Sequence, residues 1–120
     1  MAGSIQSVSH RGKDIVLVDC SRCTSAEMLP LLDQVQSEVA SHPKNSVLIL
    51  ADFCDAEFDK EVATQMKKVL ALDRPFVKRA AWVGADKIPK VYIDNFKTFS
   101  QRDFPTFATR EEAMNWLVSE

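Results

Sequence analysis

The chain is organised around its longest apolar run, which reads Ser46-Val47-Leu48-Ile49-Leu50-Ala51-Asp52. The apolar character is continuous rather than alternating, which is typical of a strand buried on both faces within a parallel sheet. The run is also too short to cross a membrane, which takes about 20 apolar residues. We therefore expect residues 46–52 to form the central strand of a sheet with helices on both of its faces.

On the amino-terminal side of this run, the sequence predicts a hairpin followed by a helix. Residues 5–9 and 15–19 have strand patterns, and the segment between them contains a glycine and has the length of a hairpin turn. Thr24 and Glu27 have the spacing of a capping box, which marks the start of a helix. Because Pro30 falls about one turn into that helix, we expect an irregular first turn or a kink there.

On the carboxyl-terminal side, the sequence predicts two more helices before the closing segment. Asp59 is the expected N-cap of the first of them. Asp86 is expected to cap the other, which covers residues 88–100 and has Pro89 in its first turn, where a proline is tolerated.

Two strands and a closing helix complete the pattern. Residues 76–83 and 104–107 are the predicted strands, the second at a sheet edge because it contains a proline. A second capping box, Thr109 and Glu112, starts the closing helix. This order predicts an α/β fold with an N-terminal hairpin and one mainly parallel sheet of about five strands, with four helices packed on its faces. We expect residues 1–120 to form a single domain.

The composition argues against several classes of function. A net charge of −2 provides no basic field for nucleic acid or for an anionic lipid surface. The first residues lack the charged and apolar segments of a signal peptide, and three cysteines do not make a disulfide framework. We therefore expect a cytoplasmic protein with reduced thiols, no membrane span and no nucleic-acid partner.

The motif Cys20-Ser21-Arg22-Cys23 places two thiols at redox spacing between a strand and a helix. The helix dipole and Arg22 would lower a thiol pKa there, and the position resembles that of the thioredoxin motif. However, the capping box starts the helix at Thr24, beyond both cysteines. We therefore favour two incidental thiols and keep a redox pair of Cys20 and Cys23, in a thiol oxidoreductase, as an alternative.

Metal binding is a weaker alternative. Cys54 also follows a strand end, and three thiols together with His10 or His42 have the chemistry of a zinc site. The spacing lacks a second ligand pair, and both histidines lie in turns expected at the opposite end of the sheet. We predict neither a metal site nor a cofactor.

The segment after the central strand is the candidate interaction turn, since ligands of open α/β sheets bind at the carboxyl ends of the strands. Its residues of interest are Asp52, Phe53, Asp55, Glu57, Phe58 and Asp59. With Asp19 at the neighbouring strand end, the turn resembles the acidic pocket of two-component receiver domains. A receiver needs a second acid beside the first, and Asp19 is followed by Cys20 instead. We favour the simpler interpretation that these acids complement a helix dipole.

The closing segment resembles that of the STAS domain, specifically of its SpoIIAA-like group of small bacterial proteins. In residues 104–117 a short strand ends in phenylalanine, and acidic residues, an alanine and the pair Trp116-Leu117 follow. The order of strands and helices, the helix with Pro30 before Leu31-Leu32, and the strand end Ala81-Trp82-Val83-Gly84 are also similar.

The resemblance implies a non-enzymatic regulatory module that binds a protein partner. STAS-type antagonists carry a phosphorylatable serine in the turn after the central strand, whereas residues 58–61 here contain no serine, threonine or glycine. Asp59, a permanent carboxylate, is expected to be recognised there without a phosphorylation switch. The related fold of lipid-binding Sec14-type domains leaves a small apolar ligand as an alternative, which requires a cavity of roughly a few hundred Å³ beside helix 88–100. A homodimer also stays open.

Overall fold

The computed structural model describes residues 3–101 and 104–119, in which a hairpin of two strands is followed by alternating helices and strands, five strands and four α-helices in all. In chain order they are β1 (Ser4–His10), β2 (Lys13–Asp19), α1 (Ser25–Ala40), β3 (Val47–Asp52), α2 (Lys60–Asp73), β4 (Val77–Val83), α3 (Lys90–Ser100), β5 (Thr106–Phe107) and α4 (Arg110–Val118). The described helices include none that is long and apolar enough to span a membrane.

All five strands form one sheet in the order β1-β2-β3-β4-β5. β1 and β2 are an antiparallel hairpin, and β2 to β5 are parallel to one another. β3 lies at the centre and all six of its residues are buried, so the apolar run has the place that its pattern predicts. The predicted α/β class, hairpin, strand number and helix number are therefore confirmed.

The pleat of the sheet divides the core into two layers, because successive side chains of a strand point to opposite faces. One face packs against α1, α2 and α3, and its strand residues include Val16, Val18, Ile49, Ala51, Ala80 and Trp82. The other face packs against α4 through Ile15, Leu17, Leu48, Leu50, Ala81 and Val83. This two-sided burial is the reason why the inner strands are continuously apolar.

The predicted helix starts at Thr24, Asp59 and Thr109 are all confirmed, since each side chain accepts a hydrogen bond from the backbone three residues later. Pro30 does not interrupt the helix, since α1 runs without a break from Ser25 to Ala40, and the expected kink there stays a prediction. Pro30 costs the helix one hydrogen bond to the carbonyl of Ala26. Both residues are exposed, so water can satisfy that carbonyl.

The third helix starts later than predicted. Asp86 lies in a short 3-10 turn, Ala85–Lys87, and α3 begins at Lys90 with Pro89 as its N-cap. The physical reason is local: Ile88 precedes a proline, which disfavours helical backbone angles, and it is extended at φ −75° and ψ 125°. Asp86 therefore does not cap α3, and Pro89 precedes its first turn.

Candidate functional site

The carboxyl ends of the parallel strands bring two aspartates together. Asp19 and Asp52 are the last residues of β2 and β3, and they are direct partners in the register of the two strands. Each carboxylate accepts a hydrogen bond from the backbone N–H two residues on, Ser21 for Asp19 and Cys54 for Asp52, both at 3.0 Å. Asp19 and Asp52 thus lie next to each other, as predicted. Each aspartate also stabilises the turn that follows its strand through this hydrogen bond.

Arg110 joins these two aspartates. Its Nε lies 2.7 Å from Oδ2 of Asp52, and its Nη2 lies 3.3 Å from Oδ1 of Asp19. The Asp52 side chain is only 8% exposed, so the guanidinium supplies the positive charge that a buried carboxylate requires. Burial acts to raise the pKa of Asp19, but hydrogen bonds from Ser21 and the charge of Arg110 outweigh it and hold that pKa below its ordinary value of 3.8.

Arg110 belongs to none of the sequence motifs that indicate a site. It is the first residue of α4, where the helix dipole disfavours a cation, and this unfavourable placement is a signal that a carboxylate is close. The parallel order of β2, β3 and β5 then places the start of α4 at the same sheet end as both aspartates.

The interaction turn is held in place by the loop after β2. Arg22 N–H donates to the Cys54 carbonyl at 2.9 Å, and Glu57 N–H donates to the Cys23 carbonyl at 2.8 Å. Arg22 and Asp55 both adopt left-handed backbone angles, with φ of 60° and 58°. The two loops therefore form one hydrogen-bonded unit at the end of the sheet.

The six predicted turn residues do not lie on one surface. Asp52 and Phe53 are buried, the first against Arg110 and the second with its ring centroid 5.1 Å from that of Trp82. Phe58 is half-buried and packs against Phe53, Tyr92 and Phe96. The exposed members are Asp55, Glu57 and Asp59.

Two of these exposed carboxylates also serve helix starts. Asp59 accepts from the backbone N–H of Val62 at 2.8 Å, which caps α2, and Glu57 accepts from the backbone N–H of Ser25 at 3.0 Å at the start of α1. The hydrogen bond from Val62, together with one from the Ser25 side chain, lowers the pKa of Asp59. These hydrogen bonds therefore favour the ionised form of Asp59 in the folded protein.

The two cysteines of the candidate redox pair are buried in the core on the α1 side of the sheet. Both thiols are completely inaccessible, and burial is the main cause that raises the pKa of each. The expected activation by Arg22 and the helix dipole is therefore absent, because the cost of burying a thiolate exceeds it. Cys54 is partly exposed, and its hydrogen bond to Asp52 raises its pKa as well.

These environments predict selective thiol labelling. Under native conditions we expect a thiol-specific reagent to modify Cys54 alone, whereas all three cysteines react after unfolding. Cys54→Ser should remove the native labelling. Rapid labelling that persists in Cys54→Ser and is lost on replacing Cys20 or Cys23 would contradict this and would support the redox alternative.

The described residues contain no group of three or more histidine, cysteine or acidic side chains arranged to hold a metal ion. His10 is the strand partner of Lys13 beside the hairpin turn, at the end of the hairpin away from the cysteines. Its Nε2 lies 2.7 Å from Oδ1 of Asn115. His42 lies 3.4 Å from a carboxylate oxygen of Glu38. Neither histidine is near the cysteines.

The apolar-ligand alternative depends on the size of the interior cavity. A cavity of about 40 Å³ lies between the sheet and helices α1 and α2, among Val18, Leu32, Met66 and Trp82. This volume is far below that of a ligand site, which measures about 300–1,000 Å³. On α3, where the sequence suggested the ligand, Val91 and Phe99 face outward and are 61% and 52% exposed.

A larger groove of about 780 Å³ lies at the amino ends of the parallel strands, away from the interaction turn. Two of the cations that line it are already engaged with the last turn of α4. Lys13 donates to the Val118 carbonyl at 3.3 Å, and Arg79 donates to the Trp116 carbonyl at 2.8 Å. These side chains satisfy the carbonyls that a helix end leaves unpaired.

No family model and no curated protein matches this chain. The fold is similar to that of an uncharacterized protein of the DUF3478 family from Shewanella loihica PV-4, whose crystal structure has a SpoIIAA-like fold. The two are 15% identical, the alignment covers 97% of this chain and 94% of the other, and the TM-score is 0.72. The predicted resemblance to the SpoIIAA-like group is therefore confirmed at the level of the fold.

Proposed function

We propose that this SpoIIAA-like chain is a non-enzymatic regulatory module that binds a protein partner through its interaction turn. The observation that carries the proposal is the combination of a fixed backbone and exposed charge at that turn. Hydrogen bonds hold the turn to the neighbouring loop, while Asp55, Glu57 and Asp59 lie at the surface. Because such a surface is ordered before binding, the free energy of binding is not reduced by the entropy lost in ordering a mobile loop.

The other polar groups at this end of the sheet support binding rather than catalysis. Asp19 and Asp52 are paired with Arg110, and the pKa values of all three thiols are raised. A catalytic acid, base or nucleophile needs an available group whose pKa is close to the working pH. The groups that face outward at the turn are instead acidic side chains, Asp55, Glu57 and Asp59, which suit a basic partner surface.

Recognition of this kind is constitutive. Asp59 occupies the N-cap of α2, where its charge is present without phosphorylation. A carboxylate at a helix start accepts from free N–H groups as a phosphate would, but with about half the charge. We therefore propose that the partner is regulated by its own abundance or state, and not by a modification of this turn.

A charge-neutralising variant tests the proposal. Asp55→Asn, Glu57→Gln and Asp59→Asn together should sharply reduce the capture of binding partners from cell extract, measured by quantitative mass spectrometry. Folding should be retained, because asparagine caps a helix about as well as aspartate, so that the free energy of unfolding should be almost unchanged by that substitution.

The matched control removes three exposed carboxylates elsewhere, by Asp14→Asn, Asp33→Asn and Asp94→Asn. Its net charge equals that of the turn variant, so a general charge effect would lower capture by both proteins equally. Partners that are lost with the turn variant and kept with the control identify the turn as the interface. Equal capture by wild type and turn variant would reject the proposed function.

A further inference from the structure

The two edges of the sheet differ in how well they are protected against pairing with another strand. An edge strand has a row of unpaired N–H and C=O groups, and proteins limit it by shortness, proline, charge, bulges or a covering element. β5 is protected in this way, since it has only two residues and follows Pro105. β1, at the other edge, is seven residues long.

Among residues 4–10, β1 lacks the charge, the proline and the bulge that commonly protect an edge strand. Its sequence, Ser-Ile-Gln-Ser-Val-Ser-His over residues 4–10, contains no lysine, arginine, acid or proline. It pairs with β2 over seven consecutive residues without a shift of register, so no bulge twists it away. Gln6, Ser7 and Ser9 are exposed, and no described strand pairs with its outer side. Such an edge is a ready template for one more strand.

We propose that the free edge of β1 is a homodimer interface, in which two copies of the chain pair their β1 strands antiparallel into one continuous ten-stranded sheet. A second copy fits because the edge is complementary to itself: it has no charge that would meet a like charge across a two-fold axis. The small net charge of −2 adds little general repulsion between two copies.

Antiparallel pairing centred on Ser7 uses the whole strand. Ser7 lies opposite the same residue of the other copy, Gln6 opposite Val8, and Ile5 opposite Ser9, so all seven positions are paired. In this pairing, residues directly opposite each other lie on the same face of the sheet. Each copy therefore keeps Ile5 on the α1 side of the sheet and Val8 on the α4 side. The paired segment is about 24 Å long, so we expect a weak dimer that depends on concentration.

The mass in solution tests this pairing, measured by sedimentation over a concentration series up to the highest attainable. We expect wild type to shift from monomer to dimer. Ser7→Lys should stay monomeric, with a dissociation constant raised at least about tenfold, since the two lysines would face each other on the axis. Ser7→Glu should also stay monomeric, since two carboxylates would face each other. An equimolar mixture of the two variants should dimerise again, because a lysine then faces a glutamate. Thr106→Lys, on the protected edge, is the control and should dimerise as wild type does.

Three results would overturn the proposal. The first is a wild type that stays monomeric at every concentration. The β1 edge would then be a binding site for a strand of another protein and not a homodimer interface. The second is a dimer that Ser7→Lys does not weaken, which places the interface elsewhere. The third is a mixture of Ser7→Lys and Ser7→Glu that stays monomeric although both variants have the thermal stability of wild type. None of these results bears on the interaction turn, which lies at the carboxyl end of the sheet.

Discussion

Gly84→Ala is expected to destabilise the protein by about 2–5 kcal/mol, a large part of the roughly 5–15 kcal/mol that stabilises a typical domain. Gly84 follows β4 with φ of 70°, a conformation that costs any residue with a Cβ about 1–2 kcal/mol. A Cβ at this position would lie 2.8 Å from the backbone nitrogen of Cys54 and 2.9 Å from its Cα, and closer still to its Sγ. Relieving these contacts adds about 1–3 kcal/mol.

The backbone of the interaction turn cannot move away from such a Cβ easily. Phe53 N–H donates to the Val83 carbonyl at 2.8 Å, which holds the two loops together immediately before Cys54 and Gly84. The expected loss is measured as the free energy of unfolding in denaturant. Cys54→Ala in the Gly84→Ala background should recover only part of it, because two of the three close atoms belong to the backbone.

Gly12→Ala is the matched control for this prediction. Gly12 has a similar φ of 80°, but a Cβ there would meet nothing within 4 Å. Its substitution should therefore cost only the conformational part, about 1–2 kcal/mol. Equal losses for the two variants would show that the close approach of Gly84 to Cys54 contributes nothing to stability.

Arg110→Met is expected to cost about 2–4 kcal/mol, because it leaves the buried Asp52 carboxylate without its cation. Asp52 keeps the hydrogen bond from Cys54 N–H, which limits the loss. The helix itself should not suffer, since a cation at the first position of α4 opposes the helix dipole. Adding Asp52→Asn to Arg110→Met should restore part of the stability by removing the unpaired charge.

Lys90→Met provides the comparison for an exposed ion pair. Lys90 and Asp94 are 2.9 Å apart on α3, but the lysine side chain is 88% exposed. Its removal should cost about 0.5 kcal/mol or less. If Arg110→Met loses no more stability than Lys90→Met, the pairing of Arg110 with the two strand ends has no structural role.

The effect of Arg110 should depend on pH in a defined direction. The pKa of Asp19 is lower in the folded protein than its ordinary value of 3.8, so its ionised form adds stability above that pH. This contribution disappears as the pH falls through the folded pKa, where Asp19 becomes protonated. The difference in stability between wild type and Arg110→Met should therefore be largest near neutral pH and should shrink below pH 3.8. A difference that grows on acidification would contradict the assigned ion pair.

Several features of the fold are legible in the amino-acid order because they depend on local chemistry. A run that is apolar at every position, residues 47–51, requires cover on both faces and becomes β3. Thr24, Asp59 and Thr109 cap helices because a short polar side chain reaches a backbone N–H three residues later. The start of α3, in contrast, was predicted too early, although the proline that follows Ile88 disfavours helical backbone angles at that residue.

Burial and long-range pairing, in contrast, depend on which distant segments meet in the folded chain. Arg110 binds Asp52 across 58 positions of sequence, and no local pattern at either residue specifies the other. The Cys20–Cys23 motif has redox spacing, yet the packing of α1 on the sheet buries both thiols and raises their pKa values. Similarly, helical periodicity does not distinguish Phe96, which is buried, from Phe99, which is exposed, because α3 is apolar over a wide arc.

Local chemistry therefore specified the succession of strands and helices, three of the four helix starts and the end of the sheet that carries the acidic turn. The order of the strands within the sheet was decided by their pairing in the tertiary structure. The tertiary structure specified which acids face solvent: Asp55, Glu57 and Asp59 do, whereas Asp52 is buried against Arg110. The physical reason is that helix capping and the spacing of apolar residues involve positions only a few residues apart. Desolvation and Coulomb energy, in contrast, depend on every atom that surrounds a charge in the folded chain.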